Sequence, residues 1–259
     1  MKVNESLYTE ERQKEILNLI KEKNRLTVKE LSTYFNISEV TIRSDLNILS
    51  KNGNIIRTHG GAIYVEELKS ELPISQRKDK QKEIKKNIGM SASGLINDGE
   101  VIFIDASTTA GEIIPFLKNK NEIIVITNSL EFAYMLAVST TVEIIMLGGT
   151  VRRESLSVVR EAVGDIIPDV KISKAFFGAW GFSLKDGLTD VNPREIKVKK
   201  RIAEKSREII ALVDSSKWGK VSYGTFIETD DIDVLITDLQ APDDMIYQLK
   251  RKGLRVIQV

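Results

Sequence analysis

Hydrophobic and polar positions recur at two different periods along this chain, and the change of period divides it. Ile16, Leu19 and Ile20 repeat at helical spacing. They lie behind Thr9, which can cap the helix, and behind Glu10 and Glu11, where the macrodipole favours acid. "TVKE", Thr27 to Glu30, is a capping box, and Leu31 and Phe35 supply the buried face of a second helix. "NIS" breaks the chain tightly. Ser38 then caps a third helix, in which Ile42, Leu46 and Leu49 face inward together and Gly53 fits the stop. "NIIRTHGGAIY" alternates about His59-Gly60-Gly61-Ala62, a hairpin signal with Gly-Gly at the turn.

From Val65 to Asn87 the chain is charged and nearly free of large apolar residues, and Pro73 blocks a continuous helix. This reads as a linker leading into a helix that carries on to about Ile96. From Glu100 onward, seven β-branched runs alternate with helical stretches: "VIFID", "EIIVIT", "VEIIML", "KAFFGAW", "EIIALVD", "DVLITD" and "LRVIQV". Continuous apolar runs between helices predict a mainly parallel sheet covered on both faces. The expected organisation is a helical domain with a hairpin over 1–64, a charged linker and the start of a connecting helix over 65–87, and an α/β domain over 88–259.

Composition narrows the class. Of 259 residues, 42% are hydrophobic and 29% charged, enough to pack real cores. Lys and Arg number 38 against 37 Asp and Glu, so bulk charge argues neither for nor against nucleic acid. With no cysteine, disulfides and thiolate metal sites are excluded, and neither a metal nor a cofactor is expected. The charged N-terminus has no signal-peptide core, and no apolar run approaches the ~20 residues of a membrane helix. A soluble cytoplasmic protein without membrane association is expected.

The third helix points Thr41, Arg43, Ser44, Asn47 and Lys51 outward. Small donors near the N-terminus and longer cations behind them suit a helix entering the major groove. An ordinary solvated helix face needs only the same residue types. The arrangement favours DNA: a capped helix, a tight turn, a polar-faced helix and a Gly-turned hairpin carrying Arg57 and His59 make a winged helix-turn-helix. The expected contacts are Ser38, Thr41, Arg43, Ser44, Asn47, Arg57 and His59, with Arg43 and Arg57 as the outward cations. Residues 1–64 carry ten Lys and Arg against eight Asp and Glu, a net +2. One copy would bind weakly, so a homo-oligomer, dimer or larger, is expected.

"RQKEILNLI", "VKELSTYFNISEVTIRSDLNILSKNG" and "IIRTHGGA" resemble the DNA-binding domain of the DeoR family of sugar-metabolism regulators. "DASTT", "VITNSLEFAYML", "LGGTVRRESLS", "KAFFGAWGFSLKDGLTD", Glu195 within "NPREIKVKKRIAEKS", and "DSSKWG" resemble that family's sensor domain in order and spacing. The resemblance covers nearly the full chain. It implies a sensor with the fold shared with ribose-5-phosphate isomerase, a phosphorylated sugar as effector and double-stranded operator DNA as partner. The chain departs from the family twice: Ser44 stands where the recognition helix often has a second arginine, and Arg160 where a glycine is usual.

Asp105, Ser107, Thr108 and Thr109 follow a strand and open a helix, a setting that suits a phosphate. Plain capping would use the same residues. Thr127, Asn128 and Ser129 repeat the arrangement, and Gly148-Gly149 follows the third strand; such loops gather at the carboxyl edge of a parallel sheet, where ligands bind. Gly181 joins the ligand set, although with Gly178 it also fits a tight turn. Lys217 can give a point charge to phosphate or remain a solvated lysine. Asp105 and Glu195 can accept from sugar hydroxyls, or cap helices and pair with "KVKKR". Arg160 either swings to solvent or grips the phosphate, and Arg153 competes for that contact. Asp, Glu and Lys in such a pocket are also an isomerase's proton-transfer groups. An isomerase-like enzyme with an accessory DNA-binding domain is therefore the alternative. Because an isomerase gains nothing from a winged helix-turn-helix, the expectation is a repressor with no catalytic residues.

Overall fold

A computed structural model describes residues 9–23, 25–51, 55–58, 60–64, 73–160 and 170–259; Gly53 and His59 lie outside them. The chain divides into two compact units, Met1–Glu71 and Leu72–Val259.

The first unit runs α1 (Thr9–Lys23), β1 (Arg25–Thr27), α2 (Val28–Phe35), α3 (Glu39–Lys51), β2 (Ile55–Thr58) and β3 (Gly61–Tyr64). Its core is the inward stripes of the three helices, Ile16, Ile20, Leu31, Ile42, Leu46 and Leu49, closed by Ile55 and Ala62. The capping box forms: Glu30 N–H donates to Thr27 Oγ1 at 3.1 Å, and Thr27 N–H to Glu30 Oε2 at 2.7 Å. Asn36 ends α2 in the left-handed region at φ 53°, turning the chain into α3.

β1 was not foreseen. It pairs antiparallel with β3, giving the order β1-β3-β2. Three residues show no alternation of their own, and the strand exists because β3 offers it a partner. Gly61 is what permits the pairing. A Cβ there would lie 2.7 Å from Thr27 Cα, so the second glycine of "HGG" serves strand contact and not only the turn.

The second unit begins with α4 (Ile74–Lys78) and α5 (Lys82–Ser93), then β4 (Val101–Ile104), a 3-10 helix (Ala110–Asn119), β5 (Ile124–Thr127), α6 (Leu130–Ser139) and β6 (Glu143–Met146). There follow β7 (Thr150–Val151), β8 (Val158–Val159), β9 (Ile172–Gly178), β10 (Gly181–Ser183), β11 (Gly187–Asp190), α7 (Pro193–Glu204) and β12 (Ser206–Leu212). The unit closes with β13 (Gly224–Ile227), β14 (Val234–Thr237), α8 (Asp243–Arg251) and β15 (Arg255–Gln258).

The seven apolar runs of the sequence form one parallel sheet, in the order β15-β14-β12-β9-β4-β5-β6. Period-2 alternation sends Ile102 and Ile104 to one face, with Ile88 and Ala92 of α5, Ile113 of the 3-10 helix and Phe132 of α6. Phe103 and Phe177 face the other side, with Ile202 of α7 and Leu249 of α8. Truncating a fully buried phenylalanine such as Phe177 to alanine would remove about 3–5 kcal/mol. β10, β11 and β13 form a small antiparallel sheet, and β7 pairs with β8. These strands of two to four residues are too short for a period to show.

Two expected boundaries move and one element changes type. The stretch read as linker already holds α4 directly after Pro73, since proline is tolerated at a helix start. α5 ends at Ser93 with Gly94 behind it, short of Ile96. The element after Thr109 is a 3-10 helix in place of the expected α-helix, because Pro115 lacks the N–H that would close an α-turn onto Gly111.

Candidate functional site

α3 buries Ile42, Leu46 and Leu49 and exposes Arg43, Ser44, Asn47 and Lys51, leaving Thr41 half-buried. Ser38 caps the helix, accepting from Thr41 N–H at 3.1 Å, and its hydroxyl meets that of Thr41 at 2.9 Å. Arg43 is outward, with Nη2 3.1 Å from Glu39 Oε2. Both side chains are about half exposed, so the pair is weak and the guanidinium can be recruited elsewhere. Arg57 corrects an expectation. It does not project from the wing but folds back onto α3, donating from Nη1 to Asn47 Oδ1 at 2.7 Å and to the Arg43 carbonyl at 3.0 Å. The hairpin places it within reach of an exposed carbonyl and an amide, and the partly buried guanidinium takes both.

Asp45 was missed. It lies on the buried side of α3 and accepts from Arg12 Nε at 2.7 Å and Gln13 Nε2 at 2.9 Å, tying α1 to α3. A carboxylate at an inward helical position, between Ile42 and Leu49, was the available signal.

In the second unit the carboxyl ends of β4, β5, β9, β12 and β14 lie side by side, as their register requires. At the centre stands Lys199 of α7. Its Nζ lies 2.7 Å from Asp190 Oδ2 and 2.9 Å from Asp105 Oδ2, donates to the Gly178 carbonyl at 3.1 Å, and sits over the Phe226 ring. Burial would drive this ammonium toward neutrality, but Asp105, Asp190 and Glu195 outweigh it and hold the lysine charged. Burial likewise raises Asp190, and Lys199 beside it wins, keeping that carboxyl below its ordinary range.

Asp105 is therefore not open to a ligand's hydroxyls as expected. Besides Lys199 it accepts from Ser107 N–H at 3.1 Å and Ser107 Oγ at 2.5 Å. The alternative, pairing with "KVKKR", is what occurs. Glu195 is also engaged: Oε1 accepts from Arg152 Nη1, from Ser155 Oγ at 2.9 Å and from Ser157 Oγ at 2.5 Å. Arg152 thus takes the inward position, while Arg153 is exposed. Neighbouring residues of a short hairpin point to opposite sides, and only the position of Glu195 decides which arginine is drawn in. Arg160 is exposed too, the solvent-facing reading of the two.

Other members act first as scaffold. Thr127 Oγ1 donates to the Ile104 carbonyl at 2.8 Å and accepts from Ser129 N–H at 3.1 Å, and Ser129 caps α6. Asn128 is 1% exposed, and its Oδ1 has no hydrogen-bond partner among the described residues. Thr108 is half-buried and Thr109 buried behind Ser107. Gly178 lets that loop close on β9, since a Cβ there would lie 2.6 Å from Ser107 Cβ and overlap its hydroxyl. Gly148 and Gly149 lie in the exposed turn before β7, and Gly181 opens β10 against the backbone of Lys220.

Lys217 ends a short 3-10 turn, Ser215–Lys217, capped by Asp214. Burial pushes its pKa down, opposed by Asp214 and reinforced by Lys220 and Arg77. A second lysine, missed in the sequence, shares this setting. Lys85 of α5 is 4% exposed and donates to the Arg77 carbonyl at 2.6 Å. Burial pushes its pKa down to about 8; Asp214 opposes, and the charges of Lys217 and Arg77 add to the depression. Its position within "KEIKKN", among solvated lysines, hid it. The unit thus holds one set of charges paired around Lys199 and a second group, Lys85 and Lys217, whose burial outweighs the opposing charge of Asp214.

A helix-turn-helix with a hairpin, joined in sequence to an α/β unit with polar strand-end loops, defines the class of one-chain DNA-binding sensors. The match to known families is specific. Residues 12–68 match the DeoR-like helix-turn-helix domain and residues 80–239 the DeoR C terminal sensor domain. The chain belongs to the DeoR family. It is 32% identical over 249 residues to the uncharacterized HTH-type transcriptional regulator YulB of Bacillus subtilis (strain 168), covering 96% of each chain. It is 34% identical over 251 residues to the HTH-type transcriptional repressor GlcR of the same organism, covering 97% of this chain and 96% of that one. Among solved structures, ribose 5-phosphate isomerase A from Methanocaldococcus jannaschii aligns over 54% of this chain and 55% of that one, at 18% identity and a TM-score of 0.41. The chain is a transcriptional regulator and not an enzyme, since full-length relatives are regulators of this kind.

Proposed function

We propose that this regulator represses genes of sugar transport or catabolism, and that a phosphorylated sugar bound at the strand-end loops changes its affinity for operator DNA. The observation that supports the effector reading is a pair of neighbouring lysines, Lys85 and Lys217, whose ammonium groups burial disfavours in spite of Asp214. Two lysines whose charged form is disfavoured by burial are stabilised by a bound dianion, and the Asp105–Thr109 loop adds hydroxyls and N–H groups. Ser107, Thr108, Thr109 and Lys217 are the phosphate contacts on this reading, with Asn128 Oδ1 available to a sugar hydroxyl. The carboxylates an isomerase would use, Asp105 and Glu195, are held in ion pairs, which also favours binding without turnover.

Operator contact falls to α3 and the wing. The first 64 residues carry a net charge of only +2, so a homo-oligomer presents two recognition helices to two half-sites, and operator binding places its work in the cytoplasm. Among the described residues no helix is long and apolar enough to cross a membrane.

Calorimetry with a panel of sugar phosphates and the matching free sugars tests the effector. The expected result is a clear preference for a phosphorylated form, with no product formed. Equal binding of both forms would remove the assignment. Gel shifts with and without the bound sugar phosphate then test coupling, since only unequal affinity for two states can move the equilibrium.

A further inference from the structure

Val40 is an apolar side chain on the polar face of the recognition helix. It lies in the first turn of α3 and is 77% exposed, the most exposed large apolar side chain among the described residues. The helical period puts it at the centre of the outward face, in line with Ser44 and Asn47 and opposite Ile42, Leu46 and Leu49. It is not part of the core of this unit. A β-branched residue also gains nothing for an exposed first turn.

Several polar neighbours make local bonds. Ser38 and Thr41 bond each other, Arg43 pairs with Glu39, and Asn47 accepts from Arg57. Val40 stands out with two methyl groups and nothing to donate or accept. The major groove offers one apolar group that distinguishes bases, the 5-methyl of thymine; the other base edges carry donors and acceptors that a valine would leave unpaired.

We propose that Val40 determines operator specificity by packing on the 5-methyl group of a thymine in each half-site. This rests on the reading of the chain as an operator-binding regulator. The test uses the full-length protein and Val40→Ala, each selecting from a randomised duplex pool. The parent is expected to enrich sites with thymine at one fixed position per half-site. Val40→Ala is expected to lose the preference there and keep it elsewhere. Replacing that thymine by deoxyuridine removes only the methyl. The parent should then lose about fourfold affinity per half-site, the value for burying one methyl-sized group, while Val40→Ala loses none. A parent that binds deoxyuridine and thymine sites equally overturns the proposal, whatever the variant does. So does a Val40→Ala protein that keeps the thymine preference, or one that weakens on every sequence alike. A parent that enriches no sequence at all fails earlier, and overturns the operator reading itself together with the role of Val40.

Discussion

Arg57 of the wing donates from Nη1 to Oδ1 of Asn47 on the recognition helix, at 2.7 Å. With Oδ1 taken, Asn47 presents its amide N–H groups outward, which suits the acceptor edge of guanine or thymine better than the donor-acceptor pair of adenine. Arg57→Ala and Asn47→Ala should each weaken operator binding. The double variant should cost less than the sum, with a coupling of about 0.5–3 kcal/mol. Anisotropy titrations of the four proteins measure it, and additive losses would mean that the wing does not set this side chain.

Among the described residues Arg43 pairs with exposed Glu39, which therefore competes with DNA for the guanidinium. Arg43→Ala should cost about 1–3 kcal/mol of operator binding if the contact is a bidentate guanine pair. Glu39→Gln should tighten binding, by removing both the competitor and a negative charge close to phosphate. The gain should vanish in the Arg43→Ala background. A Glu39→Gln protein that binds no better than the parent at low salt would contradict this.

Lys199 pairs with two buried carboxylates, Asp105 at 2.9 Å and Asp190 at 2.7 Å. Lys199→Met should destabilise the sensor by about 3–5 kcal/mol, because Asp105 and Asp190 are left charged and close together out of water. Urea unfolding followed by circular dichroism gives the value. A loss below about 1 kcal/mol would show that the carboxylates are hydrated or neutral without the lysine.

Lys85 carries a pH signature. Its pKa in the folded protein is about 8, against 10.5 when unfolded, so between these values the unfolded chain holds the extra proton. Stability should therefore rise with pH across that window, by the sign of the proton difference. A bound phosphate dianion favours the charged lysine. Sugar-phosphate binding near pH 8–9 should then take up a proton, visible as a binding enthalpy that depends on the buffer's ionisation enthalpy. Lys85→Met should reduce the dependence, and what remains belongs to Lys217. Binding heats that are the same in every buffer would place the anion away from both lysines.

Gly178 touches Ser107 where a side chain has no room. Gly178→Ala should cost about 1–3 kcal/mol in stability and displace the Asp105–Thr109 loop. Sugar-phosphate affinity should fall more than operator affinity. Thermal shift and calorimetry on the variant read the two effects separately, and unchanged effector binding would mean the loop lies outside the site.

The sequence by itself determined what repeats. Seven apolar runs became seven parallel strands, and the stripes through Ile16, Leu31 and Ile42 became one helical core, because burial acts on every residue of a periodic segment at once. The capping box at Thr27 was equally readable, since its partners lie three residues apart. What only the tertiary structure decided were single contacts between distant residues. Whether Arg152 or Arg153 turned inward depended on Glu195, on another element. Whether Asp105 met a ligand or a lysine depended on Lys199, whose inward position on α7 looked from sequence like one more cation in "KVKKR". Arg57 turned back to the helix because a carbonyl and an amide 10 to 14 residues away lay within its reach. Charge in a sequence has a sign but no address. A buried ion pair is placed by the packing around it, and that packing exists only once the whole sheet has formed.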